Sequence, residues 1–415
     1  MNADYTRRCA AATEENRRIT GEQERETATS PEPGRALHLN RMPYAGLVRT
    51  VTVSLGNRSY AIRIGRALID RLGKECEALG LGRRCVLITD ANVARHYFEP
   101  ARIALATAGF SVEAIVLPPG ESTKNLRTVQ ACYNRLSRAR LERSSFVVAL
   151  GGGVIGDLAG FVAATYLRGI SFVQVPTTLL AQVDSSIGGK VGVNLASGKN
   201  LVGAFHQPRL VLADVDALKT LSDREFRAGL AEVIKYGIIF DSDLFERIER
   251  VLPRIMMRDP RVIAEIVARC CEIKASVVSK DETEGGLRAI LNFGHTIGHA
   301  LEAMGRYRKY LHGEAIAIGQ VAAARVSSRL LGLPESDADR ICHLFERVGL
   351  PTKSPLSARQ LRRVLEIMSL DKKVAGGNVR FVLVRRIGEA VYGQRVPENV
   401  LVESLKQQTG ALSKS

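Results

Sequence analysis

Apolar and polar residues alternate over residues 50–55 and 59–64, the period-two pattern of half-buried strands. From there the rhythm changes. Apolar runs of strand length at 85–89, 111–117 and 145–150 are separated by stretches at 92–108 and 126–138 whose apolar positions recur every three to four residues. Residues 172–176 and 210–214 read as later strands of the same sheet. This strand–helix alternation predicts a parallel, doubly wound, Rossmann-like α/β domain over 42–217. Beyond residue 218 the strand signals almost vanish. Helical periods run through 223–236, 243–251, 262–278, 289–304, 314–331 and 335–348, which predicts an all-α C-terminal domain over 218–415 with one strand-like excursion at 380–385. Residues 1–41 are poor in apolar side chains and carry Ser30-Pro31-Glu32-Pro33-Gly34, so they are expected to form a disordered extension, with Met42 as a candidate start.

Length agrees with two domains, since 415 residues exceed the size at which one core stops growing. An apolar fraction of 46% with 25% charged residues excludes a disordered, collagen-like or multi-span membrane chain. The stretch most like a membrane span, 146–167, holds Asp157 and five glycines, where a spanning helix needs an unbroken apolar run. No signal or transit pattern opens the chain, and a cytoplasmic protein is expected. The seven cysteines form an odd set without a Cys-x-x-Cys pair, which predicts reduced thiols. A net charge of +16 invites a nucleic-acid reading, but residues 1–41 are neutral and the excess elsewhere is scattered, with no basic run or interleaved aromatics. An anionic small molecule explains it as well.

Four constellations carry chemistry. Gly151-Gly152-Gly153-Val154-Ile155-Gly156 follows a strand and precedes a helical segment, the context in which backbone amides hold a pyrophosphate, although such glycines also serve tight turns. Asp90, Glu121 and Lys124 follow the ends of neighbouring strands, where open α/β sheets bind ligands, unless they are solvated loop charges. Arg288, Asn292, His295, His299 and Glu302, spaced 4, 3, 4 and 3, form a polar stripe predicted to lie on one continuous helix face. With His312 close behind, the stripe points to a metal or catalytic site. Glu232 is the expected carboxylate partner, its alternative being an exposed ion pair with Lys235. The segment from Asp184 to Lys190, continuing to Asn194, Lys199 and Asn200, is either an anion site or a glycine-rich linker.

These residues resemble one family closely, 3-dehydroquinate synthase. The matching strings are GGGVIGDLAGF from Gly151, YLRG from Tyr166, VPTTLLAQVDSSIGGKVGVN from Val175, GKNLVGAF from Gly198, AEVIKYG from Ala231, LNFGHTIGHALE from Leu291 and His312-Gly313-Glu314, and the likeness covers about residues 48–405. It implies a cytoplasmic homodimer with an NAD-binding α/β domain and a helical metal domain. The implied reaction converts 3-deoxy-D-arabino-heptulosonate 7-phosphate, a phosphorylated sugar acid, to 3-dehydroquinate and phosphate, with NAD and zinc or cobalt and no net redox change. By motif match Glu232, His295 and His312 become metal ligands and His299 the proton-handling residue. Asp90, Asn92, Glu121, Lys124, Gly152, Gly153, Val154, Asp157, Thr177, Thr178, Lys190 and Lys199 fall at NAD-contacting positions. Asp184, Lys190, Lys199, Asn200, Lys235, Lys274, Arg288, Asn292 and one of Lys372 and Lys373 fall at substrate positions, with Arg168 reaching the neighbouring subunit's site and Lys190, Lys235, Arg288 and Asn292 sharing in catalysis. Ser222 and Thr283 stand where the family commonly has Pro and Arg. A sister cyclase, a metal-dependent polyol dehydrogenase and a nucleic-acid-binding protein are the competing readings. A dehydrogenase has no use for so many phosphate-facing cations.

Overall fold

The computed structural model describes residues 48–369 and 379–409, all within one compact unit. The predicted extension at 1–41, Met42, Lys372 and Lys373 lie outside the described residues. Strands β1 (Arg49–Val53), β2 (Tyr60–Gly65), β3 (Arg84–Asp90), β4 (Ser111–Leu117), β5 (Phe146–Gly151) and β6 (Ser171–Pro176) come first. Between them lie helices α1 (Leu72–Glu77), α2 (Ala91–Thr107), α3 (Leu126–Arg138) and α4 (Gly153–Thr165). A hairpin of β7 (Lys190–Leu195) and β8 (Gly198–Phe205) precedes β9 (Leu210–Asp214). Seven of these strands form one sheet in the order β1-β2-β9-β6-β5-β3-β4, with β1–β2 antiparallel and the other pairings parallel. β5 is buried along its whole length, as expected for a central strand covered by helices on both faces.

The C-terminal part is helical: α5 (Asp223–Phe240), α6 (Ser242–Met256), α7 (Pro260–Lys280), α8 (His295–Met304), α9 (His312–Leu331), α10 (Glu335–Val348), α11 (Ala358–Ser369) and α12 (Glu398–Thr409). One two-stranded ribbon interrupts it, β10 (Phe381–Arg386) paired with β11 (Glu389–Gln394). A single apolar cluster runs from β1, β2 and β9 through Leu230, Tyr236, Val267 and Phe293 into these helices, so both parts share a core. Among the described residues, no helix is long and apolar enough to cross a membrane.

Two expectations change. The region at 184–200 is not a linker; after a π-helical turn at Ala181–Ser185 it forms the first strand and the turn of the β7–β8 hairpin, and Val191 and Val193 are buried. The stripe from Arg288 to Glu302 is not one helix. A 3₁₀ segment (Leu287–Asn292) stops at Phe293, and α8 starts afresh after Gly294. Gly294 has φ +77°, and a Cβ there would lie 2.5 Å from the Gln320 amide nitrogen on α9. The close approach of α9 therefore dictates the break.

Candidate active site

On α5 every residue from Ala228 to Ile239 is buried, including Glu232 and Lys235, which pair one turn apart. At 0% and 1% side-chain exposure they are no surface ion pair, which corrects that reading. Burial would raise the Glu232 carboxyl, but Lys235 and His312 together outweigh it and hold the group below the usual carboxylate range.

His295 and His312 are the first residues of α8 and α9, and both aim at Glu232. Glu232 Oε1 lies 3.5 Å from His295 Nε2 and 3.6 Å from His312 Nε2. Both distances exceed a good hydrogen bond, and Glu232 Oε1 is buried without one while Oε2 faces Lys235. They suit an ion instead, because ligands bound tetrahedrally at 2.0–2.2 Å sit about 3.4 Å apart. One ligand atom from each of the three residues falls within 4.8 Å of the others. The outer nitrogens are anchored too: His295 Nδ1 is 3.1 Å from the Phe293 carbonyl, and His312 Nδ1 is 3.1 Å from Glu302 Oε2. Both rings thus turn Nε2 inward, the arrangement that outer partners impose on histidine ligands. His299, Glu302 and His312 form a second such group. Its Glu302 is already engaged, however, by His312 on one oxygen and Lys199 on the other. His299 stands beside the first group, its ring 5.3 Å from that of His295 and 5.9 Å from that of His312.

Next to the trio lies a cationic pocket. Lys274 Nζ donates to the Asp184 carboxylate and carbonyl, each at 2.6 Å. The buried Tyr236 hydroxyl is 3.0 Å from Asp184 Oδ1. Burial would raise the Asp184 carboxyl, yet Lys274 and Lys235 hold it far below its ordinary value. Burial pulls Lys274 down, against Asp184. Arg288, 2% exposed, donates to the carbonyls of Gly188 and Glu282. Lys190 pairs with Glu284, whose other oxygen accepts from Asn292 Nδ2 at 2.7 Å. Glu284 and Tyr236 had no role in the sequence reading, whereas Glu302 stood in it as the last member of the polar stripe. The signal for Glu284 was its place four residues before Arg288 and eight before Asn292; that for Tyr236, and the pairing of Glu302 with His312, exist only in three dimensions.

The remaining candidates gather at the carboxyl edge of the sheet, where Asp90 pairs in register with Leu117, Thr89 with Leu150 and Gly151 with Pro176. Asp90, Asn125, Ser222, Asp241 and Asp259 cap α2, α3, α5, α6 and α7 with their side chains, but no side chain caps α4. Its first amide groups are left for a ligand. A Cβ at Gly152 would lie 2.9 Å from Thr178, and one at Gly153 would lie 2.9 Å from Ser185. Only glycine leaves that cradle open, which fits a dinucleotide pyrophosphate. Val154 follows within the first turn, and Asn92, the second residue of α2, donates its amide to Asp90. Thr177 Oγ1 is buried without a partner. Lys124 pairs with Asp157 and donates to Asn200 Oδ1 at 2.6 Å, and Glu121 accepts from Asn194 at 2.8 Å. Burial raises the Asp157 carboxyl against the pull of Lys124. Lys199 lies 3.3 Å from Glu302 and 3.9 Å from Glu121, so the hairpin spans from the glycine cradle to the histidines. Arg168 is not drawn in; it is exposed in a turn at φ +67°.

Comparison with known proteins gives a consistent picture. The N-terminal model of 3-dehydroquinate synthase matches residues 114–228, and the C-terminal model matches 229–374. The 3-dehydroquinate synthase of Nostoc punctiforme is 51% identical over 358 residues, 86% of this chain and 98% of that protein. That of Nitrosomonas europaea is 50% identical over 349 residues, 84% and 94% respectively. Among solved structures, a 2-deoxy-scyllo-inosose synthase complexed with carbaglucose-6-phosphate, NAD+ and Co2+ superposes with a TM-score of 0.79 at 28% identity over 87% of this chain and 100% of its own. A 2-epi-5-epi-valiolone synthase from Streptomyces hygroscopicus, with NAD+ and Zn2+ bound, gives 0.77 at 27% over 86% and 98%. Glycerol dehydrogenase from Schizosaccharomyces pombe shares the fold alone, with a TM-score of 0.61 at 16% identity over 83% and 87%.

Proposed function

Because the chain belongs to the 3-dehydroquinate synthase family, we infer that its cleft converts 3-deoxy-D-arabino-heptulosonate 7-phosphate to 3-dehydroquinate and phosphate. The observation that carries the reading is the juxtaposition of the Glu232, His295 and His312 trio with a buried pocket of Lys235, Lys274 and Arg288. When bound, the metal supplies Lewis acidity at the reacting hydroxyl, and NAD supplies a hydride acceptor that returns what it takes.

Everything else falls to the side chains. His299, beside the trio, takes the proton of the hydroxyl being oxidised and later gives it back. Oxidation makes the neighbouring C–H acidic, so that its proton can pass to an oxygen of the substrate's own phosphate as the C–O bond two bonds away breaks and the phosphate leaves. Lys190, Lys235, Lys274 and Arg288 converge on one pocket beside Glu284, Glu232 and Asp184, and an anionic substrate gives this cluster of cations a further partner. Glu284 aligns Lys190 and Asn292, and Asp184 fixes Lys274. A polyol has no partner for these cations, and for that reason the dehydrogenase reading is set aside.

Residues 42–217 would serve as the NAD-binding domain, with Asp90, Asn92, Glu121, Lys124, residues 152–154, Asp157, Thr177, Thr178, Lys190 and Lys199 as its contacts, and residues 218–415 as the metal and substrate domain. A cytoplasmic homodimer in which Arg168 reaches the partner's cleft belongs to the same reading, and the exposure of that side chain supports it. The test is phosphate release from the heptulosonate phosphate against glucose 6-phosphate and other sugar phosphates. Strong preference for the first supports the assignment. Preference for a hexose phosphate would move the chain to a sister cyclase.

A further inference from the structure

We propose that Glu302 is a positioning residue for the metal centre, holding the His312 ring so that Nε2 faces Glu232, and that Lys199 clamps it there. The proposal rests on the reading of Glu232, His295 and His312 as the ligand set. An imidazole can present either nitrogen to an ion, and the partner of the other nitrogen decides which. For His295 that partner is the backbone carbonyl of Phe293, and the ring is 10% exposed. His312 is more weakly confined. It opens α9, its side chain is 30% exposed, and its Nδ1 partner is the Glu302 side chain.

Glu302 is itself held from two sides. Its side chain is 4% exposed on α8, one turn beyond His299, and its second oxygen is 3.3 Å from Lys199 Nζ. That ammonium also sits 4.4 Å from the centre of the Tyr307 ring, a cation–π contact that fixes the clamp from the α8–α9 connection. Three separate pieces of chain, the β7–β8 hairpin, α8 and the α8–α9 connection, therefore converge on the orientation of one ring. Neither oxygen of Glu302 is left for the ion, so the residue acts through His312.

The experiment compares zinc affinity, by competition with a chromophoric chelator, and the visible spectrum of the cobalt form across the full chain, Glu302→Ala, Glu302→Gln and His295→Ala. Glu302→Ala should weaken zinc binding by about 10- to 100-fold and alter the cobalt spectrum, while the metal-free protein melts as the parent does. Glu302→Gln keeps an oxygen that accepts from Nδ1–H, so it should fall between parent and alanine variant; it decides the matter should the alanine variant not fold. Parental zinc affinity and cobalt spectra in both variants, with zinc lost in His295→Ala, would overturn the role of Glu302 alone. Parental affinity in His295→Ala would overturn the ligand set and this proposal with it.

Discussion

His312 lies between two carboxylates, and the electrostatics of the site follow from that. Burial pulls its pKa down, but Glu232 and Glu302 together push it up to about 10. Glu302 answers in the opposite direction: burial would raise it, and His312 brings it to about 2. The ring is thus primed for a positive charge, which a divalent ion supplies in place of a proton. His299 faces the same cluster from one turn along α8 but is absent from the trio around Glu232. His299→Ala is accordingly expected to keep its zinc, measured by metal analysis, while turnover falls by about 10² to 10⁴. Stoichiometric zinc loss would make His299 a ligand. The separate roles of these histidines were not legible in their spacing. His295 and His299 stand one turn apart and look equivalent, and only the docking of α9 brings His312 into the place that His299 would otherwise fill.

At the scale of elements, the site depends on how closely α5, α8 and α9 approach. A Cβ at Gly313 would lie 1.9 Å from the Ala228 carbonyl oxygen, so the start of α9 touches the backbone of α5 just where His312 meets Glu232. Gly313→Ala should force the helices apart, lower stability by about 1–3 kcal/mol in denaturant unfolding, and loosen zinc in the same variant. Unchanged stability with unchanged zinc affinity would mean that the contact does not set the site. The elements most readable in the sequence were those with a clean period: the apolar run of β5, the stripe of α3 and the strand–helix alternation around them. β7 was obscured because the positions between Val191, Val193 and Leu195 are held by Gly192 and Asn194, residue types that strands disfavour. β11 was silent for a different reason, since it is half-exposed and buries no apolar face. The break at Gly294 has no local cause, because the residue that demands it, Gln320, lies on another helix.

Across the whole molecule, the two parts are joined through function as well as through a common core. The carboxyl edge of the parallel sheet offers the uncapped start of α4, and the helical part offers the histidines; Lys199 touches side chains of both. The net charge of +16, which invited a nucleic-acid partner, includes a buried pocket of lysines and arginine at this junction. Hydride recycling separates a cyclase from every dehydrogenase of the same fold. The direct measurement supplies the zinc-loaded chain and one equivalent of NAD with the heptulosonate phosphate deuterated at the carbinol to be oxidised. Many equivalents of phosphate should be released while the absorbance of reduced nicotinamide stays flat, and the product should retain the label at that carbon. Accumulation of reduced nicotinamide in step with substrate consumption, or loss of the label, would contradict it.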